Sequence, residues 1–167
     1  MPKIFRQIAL GLALGFALAH VPANAADNPP VNTGDSGYAI HGYDPVAYFA
    51  DGEPRPGDPA YAHEWNGATW LFASAEHRDT FAADPERYAP QFGGYCAYAV
   101  AKGKVANGDP RVWSIVDDRL YLNLGPSVQT LWEEDVKAHI AAAMNNWPEA
   151  LVDPGRRSKT PETASDR

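Results

Sequence analysis

Short apolar stretches separated by turn residues run through the middle of the chain, and they predict small elements of both classes. The clearest signal is Asn66-Gly67, the preferred pair for a two-residue hairpin turn, between strand-like segments at 60–65 and 68–73. This turn fixes the expected cross-strand pairs, which are Trp65 with Ala68, His63 with Trp70 and Tyr61 with Phe72. A second hairpin is predicted from apolar runs at 112–116 and 120–123 around Asp117-Asp118.

Helix signals surround the two hairpins. Asp44-Pro45 has the N-cap and first-turn residues of a short helix over 46–49, preceded by a short strand at 38–41. Ser74 is a suitable N-cap for a helix over 75–83. Gly93-Gly94 precedes a further short helix over 95–102, which Gly103 ends.

The last predicted helix begins after Pro126, with Ser127 as its cap, and Pro148 ends it. Its apolar residues recur at helical spacing and indicate a face packed on the core. The fold class predicted from these elements is α+β: a small single domain with two antiparallel hairpins, short helices and a C-terminal packing helix. No internal repeat is apparent in the sequence.

The two ends of the chain differ from this domain, which we assign to residues 38–148. Residues 1–25 have a basic start, an apolar run and a small-residue cleavage site ending at Ala25, as in a secretory signal peptide. Cleavage there predicts a periplasmic or secreted protein with no membrane segment left. Residues 26–37 are expected to form a flexible lead-in, and residues 153–167 a disordered tail.

Charge and cysteine content narrow the classes of partner. Removing Lys3 and Arg6 with the signal peptide leaves 12 basic against 21 acidic residues, a formal charge of −9. Nucleic acid and anionic lipid are therefore disfavoured as partners. Cys96 is the single cysteine, so an intramolecular disulfide is impossible, and this thiol is either a buried small residue or a reactive group.

Several separated motifs occur in the order typical of one family. They are Gly42-Tyr43-Asp44-Pro45-Val46-Ala47-Tyr48-Phe49, the segment from Trp70 to Phe81, Asp84-Pro85-Glu86-Arg87-Tyr88 and Gly94-Tyr95-Cys96-Ala97. Together they resemble the YHS domain, a small heavy-metal-associated module related to the TRASH fold, in its longer exported form. The resemblance covers roughly residues 38–148. It implies three metal-binding cysteines, but their positions in this chain are Ala47, Ala73 and His77, so that site cannot exist here.

A divergent metal site is the expectation that remains from the resemblance. Its candidate ligands are Cys96, His41, His77 and Asp44, because one thiolate, two imidazoles and a carboxylate would suit copper or zinc. Whether these side chains meet is open at the level of sequence.

Three functions follow as alternatives. The first is a non-enzymatic periplasmic YHS-domain binding protein that handles a copper-type metal. The second is a structural or small-ligand-binding domain that has lost metal binding, as Ala47 and Ala73 indicate. The third is a thiol-dependent enzyme that uses Cys96, although no protease signature surrounds this residue. The sequence leaves the identity of the ligand, the protein partner and the oligomeric state open.

Overall fold

A computed structural model describes residues 28–152; the expected signal peptide and C-terminal tail lie outside the described residues. The fold is α+β and contains two separate antiparallel two-stranded sheets, as predicted. The helices are α1 (Ala47–Ala50), α2 (Ala75–Ala83), α3 (Pro85–Tyr88), α4 (Ala97–Ala101), α5 (Pro126–Glu133), α6 (Val136–Asn146) and α7 (Glu149–Val152). The strands are β1 (Asp58–Trp65), β2 (Ala68–Phe72), β3 (Asp109–Val116) and β4 (Arg119–Asn123). Among these described residues, no helix has the length and apolarity needed to cross a bilayer.

Both predicted hairpins are confirmed, with one correction in the first. Trp65 pairs with Ala68 and His63 with Trp70, as expected, but Asp58 rather than Tyr61 lies opposite Phe72. The cause is an irregularity at the start of β1, where the Asp58 carboxylate accepts the N–H of Ala60 at 2.8 Å. This local turn displaces the strand, because it competes with regular ladder pairing.

The expected strand at 38–41 is wrong. Ala39–Gly42 instead forms a 3₁₀ turn, here named turn A, in which Ile40 and His41 have left-handed backbone. A second 3₁₀ turn, Gln91–Gly94 or turn B, has the same form, with Phe92 and Gly93 left-handed. Neither turn is evident from the hydrophobic pattern of the sequence. Both segments are short and largely apolar, and a pattern of this kind does not distinguish a turn from a strand.

The predicted C-terminal packing helix is divided into α5 and α6. Asp135 interrupts it, and its carboxylate accepts the N–H of Ala138 at 3.1 Å as the N-cap of α6. Gly125, rather than Ser127, is the N-cap of α5. Since the break changes the phase of the apolar stripe, Leu131 and Met144 are 40% and 55% exposed instead of buried.

The described part of the expected flexible lead-in, residues 28–37, is packed against the domain, which corrects that expectation there; residues 26 and 27 lie outside the described residues. Val31 and Asn32 are buried. The backbone N–H of Asn32 donates to the carbonyl of Gly93 at 2.8 Å, and its side-chain amide donates to the carbonyl of Gly94 at 3.1 Å. Polar composition suggested flexibility here, but the segment gains order from turn B.

The domain consists of two structural repeats, which corrects the expectation that the chain has none. In each repeat, a left-handed 3₁₀ turn, a short helix, a hairpin and a second helix follow one another. The hairpins share one register, because the pairs Asp58–Phe72, Ala62–Leu71 and Trp65–Ala68 have their counterparts in Asp109–Asn123, Trp113–Leu122 and Val116–Arg119. Both hairpins are irregular at the same place.

Finer details repeat as well. Asp84 and Asp135, which are the N-caps of α3 and α6, have nearly identical backbone angles, with φ and ψ of −152° and 75° and of −155° and 76°. Phe81 and Trp132 are completely buried at equivalent positions, and each belongs to a separate hydrophobic cluster. A buried hydrogen bond of 2.7 Å from the Tyr48 hydroxyl to the Pro110 carbonyl joins the repeats.

Candidate functional site

Asp44 is a fully buried carboxylate surrounded by hydrogen-bond donors. Its Oδ1 accepts the N–H groups of Val46 at 2.8 Å and Ala47 at 3.3 Å, which makes Asp44 the cap of α1. Its Oδ2 accepts the N–H of Ala73 at 2.8 Å and bonds Nδ1 of His77 at 2.6 Å. A buried carboxylate needs such partners, because an unpaired one would be strongly destabilising.

The three positions that the YHS resemblance assigns to metal ligands thus lie around one carboxylate. Ala47 and Ala73 contribute backbone N–H groups, and His77 contributes its ring, which is 17% exposed. His77 is the third residue of α2, as predicted, and Ser74 caps that helix by accepting the N–H of His77 at 3.1 Å. Asp44 and His77 are therefore two candidate residues that the fold brings together.

Cys96 lies at the equivalent place in the second repeat, where it caps α4. Its Sγ accepts the N–H of Ala99 at 3.5 Å and contacts Oδ1 of Asn123 at 3.6 Å. The residue is 1% exposed, and burial raises the pKa of its thiol. The thiolate needed for nucleophilic attack or metal ligation is disfavoured in this environment.

His41 occupies the left-handed region in turn A, with φ of 58° and ψ of 23°. A non-glycine residue in this conformation costs about 1–2 kcal/mol. The residue at the equivalent position of turn B is Gly93, which has φ of 61° and which the backbone of Pro30 approaches too closely for any side chain. Glycine therefore suits this position of the turn, and the turn alone does not explain why the first repeat has a histidine there.

The His41 ring lies against Gly34 and borders an open cavity of about 320 Å³, here named the His41 pocket. An added Cβ on Gly34 would lie 2.7 Å from Nδ1 of His41, so only glycine leaves room for the ring. Tyr43 of the first repeat and residues 107–111 and Leu124 of the second form the remaining walls. The pocket is therefore built at the junction of the two repeats.

Asp109 and Arg111 form an ion pair at the rim of the pocket. Arg111 donates from Nε at 3.0 Å and from Nη2 at 2.8 Å to the two oxygens of Asp109. The hydrogen-bonded guanidinium lowers the pKa of the Asp109 carboxyl, and the nearby His41 contributes in the same direction. Asp109 remains ionised, so Arg111 and Asp109 balance each other in charge.

The four sequence-predicted candidates thus separate into different surroundings: Asp44 with His77, His41 in its pocket, and Cys96 in the core of the second repeat. Within residues 28–152, no three or more His, Cys, Asp or Glu side chains form a group that could hold a metal ion.

Sequence reasoning missed the pocket residues Asn107, Asp109 and Arg111. One signal was present: Gly57-Asp58-Pro59 recurs as Gly108-Asp109-Pro110. That recurrence marks equivalent positions in the two repeats, and it would have drawn attention to the loop that forms the pocket wall.

Comparison with protein-family models, with curated proteins and with solved structures found no match for this chain.

Proposed function

We propose that this protein is an exported, non-enzymatic binding module that holds a small ligand in the His41 pocket. The observation that carries the proposal is the left-handed His41, which borders an open cavity at a position where the other repeat has glycine. Left-handed non-glycine residues are concentrated at functional sites, and His41, unlike the buried Ile40 and Phe92 of the same turns, lies beside the cavity. A cavity of about 320 Å³ is within the range of small-molecule sites.

The walls of the pocket support binding rather than catalysis. Tyr43, Pro110 and Leu124 offer apolar surface, and Leu124 is 43% exposed although it is a large aliphatic residue. The imidazole of His41 makes no hydrogen bond within the described part of the chain, so it is available to a ligand. The residues that line the pocket include no serine, threonine, cysteine or lysine, and the buried Cys96 lies elsewhere.

The signal-like N-terminus and the YHS resemblance support the same proposal. The first supports a location in the periplasm or outside the cell. The second concerns a family of small modules with binding roles, and the substitutions Ala47 and Ala73 favour a member whose ligand is not held by the three cysteines.

Titration of ¹⁵N-labelled protein with small ring-containing fragments tests this function. We expect bound fragments to shift the amide signals of Gly42, Gly108 and Arg111. The cavity bordered by Glu86 and Arg119 has the same volume, about 320 Å³, and serves as an internal control. The proposal would be contradicted if the fragments shift only amide signals around the control cavity, or if they shift the amide signals of neither cavity.

One observation favours metal handling as a second candidate function. The bond from Nδ1 of His77 to the buried Asp44 leaves Nε2 as the atom that could contact a metal, an arrangement common for metal-binding histidines. Copper titration of the mature protein and of the variants His77→Ala and Cys96→Ala tests it. Binding tighter than about 10⁻⁵ M that is lost in His77→Ala would support this function, and weaker binding would exclude a metal carrier.

A further inference from the structure

Two side chains that can donate hydrogen bonds have been added to the His41 pocket from different repeats. His41 comes from turn A, and Arg111 comes from β3. The equivalent positions in the other repeat are Gly93 and Ala60, which carry neither charge nor hydrogen-bonding side chain. The local geometry is otherwise retained, because Asp58 and Asp109 each accept the backbone N–H two residues later.

Packing does not account for Arg111. Its side chain is 70% exposed, and it contacts the rim of the pocket rather than the core. Since a guanidinium has five N–H donors, the two bonds to Asp109 leave three donors without a partner within residues 28–152. Arg111 lines the same pocket as His41, whose imidazole makes no hydrogen bond within the described residues, and as Asn107.

We infer that the His41 pocket selects small organic anions, specifically monocarboxylates with a ring or short alkyl body. This inference rests on the proposed function, since it names the ligand class of the same site. The carboxylate accepts hydrogen bonds from Arg111, His41 and Asn107, and the apolar body lies on Tyr43 and Leu124. Asp109 is ionised, but its charge is balanced by the paired Arg111 guanidinium, whose remaining N–H donors can serve the ligand.

The hydrogen-bond donors of the pocket lie in a protein that is acidic as a whole. With a formal charge of −7 for the full sequence, its general field repels anions. A binding site for an anion therefore needs donors fixed at short range. Such a site also gives binding that weakens as salt increases, since the rim is exposed to solvent.

The test compares benzoate, benzamide and benzylamine, which share one ring and differ in charge. Dissociation constants are measured by NMR titration for the wild type and for the variants His41→Gly and Arg111→Ala. Each variant carries the residue of the other repeat, so the local backbone is compatible with it. Arg55→Ala is the matched control, because Arg55 is also an exposed arginine paired with carboxylates, and it lies outside the pocket.

We expect benzoate to bind more tightly than the other two compounds and to lose affinity by about tenfold in each pocket variant. Arg55→Ala should leave that affinity unchanged. Equal binding of benzoate and benzamide, with pocket amides still shifted, would overturn the anion selectivity and leave the proposed function standing. No shift of pocket amides by any of the three compounds would overturn both.

Discussion

His41 and Gly93 occupy equivalent positions in the two repeats, and both have left-handed backbone, with φ of 58° and 61°. In the second repeat, the segment from Pro29 to Asn32 covers this position, and glycine is required beneath it. In the first repeat, the same position carries an imidazole that faces an open pocket. Comparison of the two repeats therefore shows that the left-handed turn itself is common to both, whereas the imidazole is particular to the first.

The variant His41→Gly should retain or increase stability. Removing a left-handed non-glycine residue relieves about 1–2 kcal/mol, and the greater flexibility of glycine in the unfolded chain offsets about 0.5–1 kcal/mol of that gain. Urea unfolding measures the difference. A loss of more than about 2 kcal/mol would show that His41 is needed for packing rather than for binding.

The variant Gly34→Ala should disturb the pocket without changing any pocket side chain. An added Cβ would lie 2.7 Å from Nδ1 of His41, so the ring must move. Gly34 also has φ of 50°, which adds about 1–2 kcal/mol of strain for alanine. We expect the side-chain NMR signals of His41 to shift and fragment binding to weaken.

Gly37→Ala is the control for that experiment, because Gly37 is also left-handed, with φ of 76°, and a Cβ there meets nothing within 4 Å. Gly37→Ala therefore introduces similar backbone strain but does not displace the ring of His41. Equal loss of binding in both glycine variants would contradict the proposed contact between Gly34 and His41.

Substitutions of Asp44 and His77 should lower the free energy of unfolding by different amounts. Asp44→Ala removes the acceptor for Val46, Ala47, Ala73 and His77 at once and should destabilise the protein by about 3 kcal/mol or more. His77→Ala removes a single bond to the same carboxylate and should cost about 1.5–3 kcal/mol. Chemical denaturation measures both, and a larger cost for His77→Ala would contradict the central role of Asp44.

Cys96 should make stability fall at alkaline pH. Burial raises the pKa of the folded thiol, so above the ordinary thiol value of about 8.5 the unfolded chain loses a proton that the folded chain keeps. The free energy of unfolding should therefore decrease between about pH 8 and pH 10, and Cys96→Ala should decrease less over that range. Identical slopes for the two proteins would contradict a buried neutral thiol.

Much of the fold was predictable because it depends on local signals. Asn66-Gly67 predicted the first hairpin, and Ser74 predicted the start of α2. The turn at Asp58 and the break at Asp135 were missed, because a short carboxylate can replace regular backbone hydrogen bonds without changing the apolar pattern.

The repeat was missed for a different reason. Apart from short matches such as Gly57-Asp58-Pro59 with Gly108-Asp109-Pro110, most equivalent positions share burial and backbone angles rather than residue type, as Phe81 and Trp132 or Gly67 and Asp118 illustrate. The candidate site depends on contacts between the repeats, such as His41 with the loop at 107–111, which no spacing along the chain reveals. Sequence could identify His41 as a candidate, but its companions in the pocket became visible only in three dimensions.

The central claim is that the His41 pocket is the ligand site. Intermolecular nuclear Overhauser effects between the ring protons of bound benzoate and the protein test it most directly. We expect contacts to the methyl groups of Leu124 and the ring of Tyr43. Contacts instead to the exposed side chains of Leu131 and Met144, or none to the pocket at saturating benzoate, would contradict it.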